Sequence, residues 1–262
     1  MNFKMKAVVA ALALTASMSA SAAMTNTASG DSSLILTLLD NTNNISATFD
    51  LGLSYSTFAA AGTQSWNVAA GDYAAAWNSF IGTANLAGAG THWAVFSGDN
   101  LGAGVGSRGM IVSYASGSTM TGSQMQTGLS AMDTYINAQL PLGNHSVVAD
   151  GASSAVSGNA FAESASAYGV NGRVNGQGTL VTWASFDKDL GVVQLKQGAS
   201  NIASASFTTI GNQYGNSKFN MSSNGVLSYT VAAAPVPEAD TWAMLLAGLG
   251  LMGFIARRRT AA

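Results

Sequence analysis

Between residues 33 and 231 the chain alternates short apolar runs with clusters of Gly, Asn, Asp and Ser. Runs of about four to eight residues bounded by turn-forming residues are the mark of β-strands. Ser33 to Leu39 (SLILTLL) and Ile45 to Phe49 flank Asp40-Asn41-Thr42-Asn43-Asn44, which predicts a hairpin opening the domain. His92 to Phe96 and Met110 to Tyr114 are expected to pair across the glycine-rich loop between them. Phe161 to Tyr168 alternates small with polar residues, and Leu180 to Phe186 with Val192 to Lys196 predicts another hairpin around residues 187–191. Ile202 to Thr208 and Val226 to Val231 complete the strands, while Asn171-Gly172 and Asn175-Gly176 suit turns that need positive φ.

Two stretches break the period of two. In 72–84, Tyr73, Trp77, Phe80 and Ile81 fall on one helical face, with Asp72 placed to cap it. In 123–140, Met125, Leu129, Met132, Ile136 and Leu140 repeat at helical spacing, and Pro141 bars continuation. The methionines read as core filler rather than as a ligand set. The fold class that fits is mainly β: an antiparallel β-sandwich, jelly-roll-like, with two inserted amphipathic helices. A β-solenoid would need a fixed repeat period, and none is present.

Both ends of the chain depart from this pattern. Residues 1–23 carry Lys4 and Lys6, then an apolar stretch, then small residues with cleavage expected after Ala22 or Ala23: a signal peptide. At the other end, residues 242–256 read WAMLLAGLGLMGFIA without a charge, followed by Arg257, Arg258 and Arg259. As a helix this run covers about 22 Å, short of a hydrocarbon core of roughly 30 Å unless flanking side chains extend it. A buried helix would show a polar face, and this one shows none. The reading is a C-terminal transmembrane helix with its arginines cytoplasmic and Trp242 at the opposite interface. The domains are therefore 1–23, an exported body over 24–234, and a tail over 235–262.

The tail has a specific likeness. Val236, Pro237, Glu238, Ala239, Thr241 and Trp242, the glycine-rich apolar run and the closing Arg257 to Arg259 together resemble a PEP-CTERM sorting signal. Ala239 stands where that motif has its second proline. The resemblance implies a protein exported in a Gram-negative bacterium, an inner-membrane intermediate, and cleavage near Pro237-Glu238 by exosortase. Its implied partners are the secretory translocon, signal peptidase and exosortase. In that family such cargo is associated with exopolysaccharide and biofilm. The likeness covers the tail and implies nothing about the body's fold.

Composition narrows what the body does. Within 24–234 there are ten acids and five Lys or Arg residues, a charge of −5, against −2 for the whole chain. A nucleic-acid partner is not expected, because it needs a basic patch. The chain has no cysteine, which excludes thiol catalysis and thiolate metal sites. Gly104 to Gly109 (GVGSRG) matches the dinucleotide fingerprint in letters only, since a strand rather than a helix is expected after it. The two histidines, His92 and His145, are expected to be structural, with no catalytic or metal residues assigned. Asp40 with its asparagines, Asp99-Asn100, and Asp187 with Asp189 are oxygen-rich loops; ordinary turn chemistry is preferred over calcium, and no cofactor is expected. Trp66, Trp77, Trp93 and Trp183 would stack on sugars if exposed, but core packing leads. The expected function is a non-enzymatic surface or extracellular-matrix protein. The alternatives are a secreted carbohydrate-binding module or a polysaccharide or ester hydrolase.

Overall fold

The computed structural model describes residues 24–102, 104–114, 121–145, 148, 151–157, 173–174, 177–179, 183–200, 202–209, 217–231, 244, 246–249 and 252. In chain order the elements are β1 (Ser33–Asp40), β2 (Ile45–Ser54), α1 (Tyr55–Ala59), β3 (Gln64–Asn67), α2 (Ala74–Ile81), β4 (Thr91–Asp99) and β5 (Gly109–Tyr114). They continue with α3 (Gly122–Gln139), β6 (Ser153–Ser157), β7 (Arg173–Val174), β8 (Gln177–Thr179), β9 (Asp189–Lys196), β10 (Ser206–Thr209), β11 (Lys218–Met221) and β12 (Val226–Thr230). Ten strands join one antiparallel sheet in the order β3-β12-β11-β9-β5-β4-β1-β2-β6, with β10 sharing an edge of β9. β7 and β8 pair separately.

The expected hairpins at β1–β2 and β4–β5 form, with Leu36 opposite Phe49 and Phe96 opposite Val112. The hairpin expected around 187–191 does not. Ala184 bridges Trp93 instead, and β9 pairs with β5, β10 and β11. A polar turn between two apolar runs permits a hairpin, but β9 pairs along its length with β5 and Ala184 bridges β4. Residues 161–168, 171–172 and 175–176 lie outside the described residues.

The sandwich expectation needs correcting, because both walls of the core belong to one sheet. Its inner face gathers Leu34, Leu36 and Leu38 of β1, Phe49 and Leu51 of β2, Trp93 and Val95 of β4, Val192 of β9, Phe219 of β11 and Tyr229 of β12 into one cluster. Trp66 on the margin strand β3 donates its indole N–H to the Leu51 carbonyl of β2 at 2.8 Å, joining regions near opposite margins. Phe58 of α1 fills the space between the walls, stacked on Phe219 at 5.5 Å and tilted against Tyr229 at 4.7 Å. Strand alternation reports that one face is buried; it does not report that the opposite wall is the same sheet curled back.

Helix α3 packs on the outer face, where Met125, Leu129, Met132 and Ile136 meet Ile35, Phe96, Met110 and Val112. Thr121 and Gln124 form a capping box that starts it, and it ends before Pro141 as expected. Tyr135 reaches through to the sheet, its hydroxyl 3.0 Å from Thr37 Oγ1 and 2.5 Å from Thr48 Oγ1. Gly98 of β4 makes the close approach possible, since a Cβ there would lie 2.4 Å from a Leu129 methyl. Helix α2 also forms where predicted, with Trp77 and Phe80 buried, yet Ile81 is 39% exposed. Its N-cap is Tyr73, whose hydroxyl donates to the Asp50 carbonyl rather than capping the helix, and Asp72 sits in the preceding 3-10 turn (Gly71–Tyr73).

Candidate functional site

The residues that carry the address, Ala22, Ala23, Val236 to Ala239, Thr241, Trp242 and Arg257 to Arg259, lie outside the described residues. What the structure shows is how the fold meets each end. Met24 is 2% exposed and belongs to the outer core. The segment after it is strapped to α3. Asp133 Oδ1 accepts from the Thr27 amide and hydroxyl, both at 2.6 Å, and from the Ala28 amide at 3.1 Å. Asn26 donates to Asn137 Oδ1 at 3.1 Å. Cleavage after Ala22 or Ala23 would thus place a new N-terminus at the start of a docked strap. Replacing Asp133 with Ala is expected to cost about 2 kcal/mol, since three donors lose a charged acceptor. Urea unfolding of the exported body checks this; a change within about 0.5 kcal/mol would mean the strap is not held by Asp133.

At the other end, β12 stops at Thr230 and the Val231 amide donates to Thr63 Oγ1 at 3.2 Å. Beyond it, Met244, Leu246 to Leu249 and Met252 are helical and exposed. Among the described residues no helix is long and apolar enough to cross a membrane.

In the oxygen-rich loops the carboxylates accept from neighbouring amides. Asp40 is fully buried, and its carboxylate accepts from the amides of Thr42, Asn43 and Asn85 and from the Asn43 side chain, all at 2.8–2.9 Å. Burial alone would raise its pKa, but hydrogen bonds from Asn43, Asn85 and Thr91 outweigh it and hold the carboxyl at about 2. Asn44 follows with φ of 60°, closing the turn. A cation here would have to displace donors already in place. Asp189 accepts from Asn220 at 2.8 Å and pairs with Lys218 at 3.4 Å, both contacts holding its carboxyl below the usual range. Asp187 accepts from the Ser223 amide, and Asp99 from the Leu101 amide. Among the described residues no three His, Asp or Glu side chains converge as metal ligands would.

The two histidines are far from alike. His92 is half-buried at the start of β4, and burial lowers its pKa against the pull of the Ala89 backbone and Asp40. His145 is fully buried, and burial pushes its imidazole down to about 4. Its Nε2 lies 3.3 Å from Ser154 Oγ, and Ser154 donates to Gln139 Oε1 at 2.8 Å. Ser154 also borders a groove of about 240 Å³ between α2 and β6, with Asp72, Ser79 and Asn144 on its walls. The loop 104–109 leads directly into β5, so it lacks the helix a dinucleotide site requires.

Of the tryptophans, Trp93 is fully buried, its indole N–H bonded to the Ser185 carbonyl at 2.9 Å, and Trp77 is buried against Phe186. Trp66 and Trp183 are half-buried. Among the described residues the indoles form no solvent-facing row.

Comparison with known proteins supplies what the body does not. Residues 235–259 match the PEP-CTERM protein-sorting motif, the same stretch whose residues resemble it. Among curated proteins and among solved structures, none matches the chain. The motif marks an exported protein sorted to the cell envelope or surface, with exosortase as its processing partner.

Proposed function

We propose that this chain is a non-enzymatic protein of the cell surface or extracellular matrix, delivered in two proteolytic steps. Signal peptidase removes residues 1–23 after translocation. The apolar run 242–256 then holds the body at the inner membrane, with Arg257 to Arg259 on the cytoplasmic side. Exosortase cleaves near Pro237-Glu238, and the acidic body associates with exopolysaccharide. The observation that carries this reading is the motif at 235–259. Met24, the residue that cleavage after Ala23 would expose, is buried in the outer core, so the body can hold that end once it is freed. No cofactor or metal enters the reading.

The test is the intact mass of the protein recovered from membranes, cell surface and medium, with and without an exosortase gene. The expected mass lacks both 1–23 and the segment beyond about Pro237, and loss of exosortase returns the tail and keeps the protein with the membranes. A tail retained in both strains would make it a plain anchor and remove the main support for a matrix role. Restoring the motif's second proline, Ala239→Pro, is expected to leave the cleavage product unchanged. Pull-down of the processed body on the organism's own exopolysaccharide then tests its destination.

A further inference from the structure

The two ends of α3 rest on different chemistry. Its first half is held by Met125, Leu129 and Met132 against the apolar outer face. Its last turn rests on a polar seam. Tyr135 and Gln139, one turn apart, meet a row of hydroxyls crossing three strands, because Thr37 of β1 is opposite Thr48 of β2 and Thr48 is opposite Ser154 of β6. Tyr135 bonds both threonines, and Gln139 accepts from Ser154, whose oxygen also faces His145 Nε2. All six side chains are at most 2% exposed.

One member of this seam changes charge in mild acid. Neutral imidazole carries a proton on one nitrogen, imidazolium on both. His145 Nδ1 has no hydrogen-bond partner among the described residues, and neither has Gln139 Nε2. The ionisable groups on the surrounding elements are Asp133 and Tyr135 on α3, Asp40 on β1, Asp50 on β2, and Asp72 and Tyr73 ahead of α2; Asp150 lies outside the described residues. Asp133 is turned to Thr27 and Ala28, and Asp50 to Ser33 and Gly52. Among the described residues no charge acts on the ring, and burial alone holds it at about 4. A protonated His145 is therefore a buried charge with an unmet donor, which favours any opening that brings it to water.

The place that opens most readily is β6. It is the margin strand of the sheet, and its described partner is β2. Among the described residues of 142–157, Ala152 is the one buried apolar side chain. The turn before β6 is pinned by Asn144, which donates to the Asp72 carbonyl, accepts from the Ser153 amide and gives its own amide to the Ser153 carbonyl. A margin segment held mainly by hydrogen bonds opens at lower free energy than a central strand.

We propose that His145 is an acid-operated latch: its protonation releases the turn at Asn144 and His145, together with β6, from α3 and β2 while the rest of the sheet stays folded. The release uncovers the edge of β2 over residues 45–49. The open form takes up the proton near pH 6.5 and the closed form near 4, so closure is full above about pH 6.5 and weakens as pH falls. Between pH 7.5 and 4.5 the opening equilibrium grows about seventyfold.

Hydrogen exchange of the exported protein, read by mass spectrometry at both pH values and at low urea concentrations, tests the latch, with labelling times scaled to the intrinsic rate. Peptides spanning 142–157 are expected to exchange through an opening that urea barely affects and that grows about seventyfold in acid. Peptides of β5 and β9 should exchange only through a rarer, urea-dependent opening. His145→Gln is expected to abolish the growth in acid within 142–157. Exchange of 142–157 only together with β5 and β9, or a local opening indifferent to pH, would overturn the latch. A His145→Gln variant that keeps the acid response would also overturn it, since another group would then carry the charge. The wild-type series decides the matter even if the variant does not fold.

Discussion

Replacing Asp40 with Ala is expected to destabilise the body by about 3–5 kcal/mol, a large share of the roughly 5–15 kcal/mol that holds a domain together. The carboxylate is buried at the end of the central hairpin and accepts from three backbone amides and one side-chain amide. Removing it leaves those donors short of a charged acceptor, and also releases the segment at Asn85 that the carboxylate ties to the turn. Asp40→Asn keeps one acceptor and should fall between. Urea unfolding followed by circular dichroism decides it; a loss under about 1 kcal/mol would show that the turn closes without its carboxylate.

The same group gives the fold a defined acid response. Folding lowers the Asp40 pKa from 3.8 to about 2, so the unfolded chain binds the proton first as pH falls. Its contribution of about 2 kcal/mol is full above pH 4 and is lost toward pH 2. His145 acts in a higher window. Burial lowers its pKa from 6.5 to about 4, so protonation favours the unfolded chain from about pH 6.5 downward, by about 3 kcal/mol at the lower limit. Stability measured from neutral pH downward should therefore decline in two stages. His145→Gln is expected to flatten the upper stage and Asp40→Ala the lower.

Trp93→Ala is expected to cost about 3–5 kcal/mol, through lost burial and the cavity left behind. The side chain is fully enclosed in the inner core of the curled sheet, and its indole N–H satisfies the Ser185 carbonyl. The backbone beside it bridges Ala184. Trp93 thus holds residues 183–186 against β4, so its loss should loosen that segment as well as the core. Trp93→Phe should cost less, because the ring remains and one carbonyl loses its partner. Equilibrium unfolding gives the free energies, and hydrogen exchange at Ala184 gives the local effect; unchanged protection there would contradict the coupling.

Much of the local structure was legible in the sequence because it depends on neighbouring residues. The Asp40 turn, the β1–β2 and β4–β5 hairpins, α2 and α3 all follow from spacing, capping and turn residues within about twenty positions. Strands β3, β6 and β11 were missed. QSWN, SSAVS and KFNM are short and carry little alternation, and each becomes a strand because a neighbour offers a free edge. Helix α1 was missed for a related reason: YSTFA is too short for a periodic signal, and its capping box at Ser54 and Thr57 is what starts it.

The sequence by itself determined the C-terminal sorting motif. A charge-free run closed by three arginines, preceded by Pro237-Glu238, is recognised as a linear segment and needs no fold to be read. Tertiary structure alone decided that one sheet curls to make both walls of the core, that His145 and Ser154 meet, and that Val231 is bonded to Thr63. Those relations join residues as many as 168 positions apart, and they are set by strand order and burial, which no local pattern encodes.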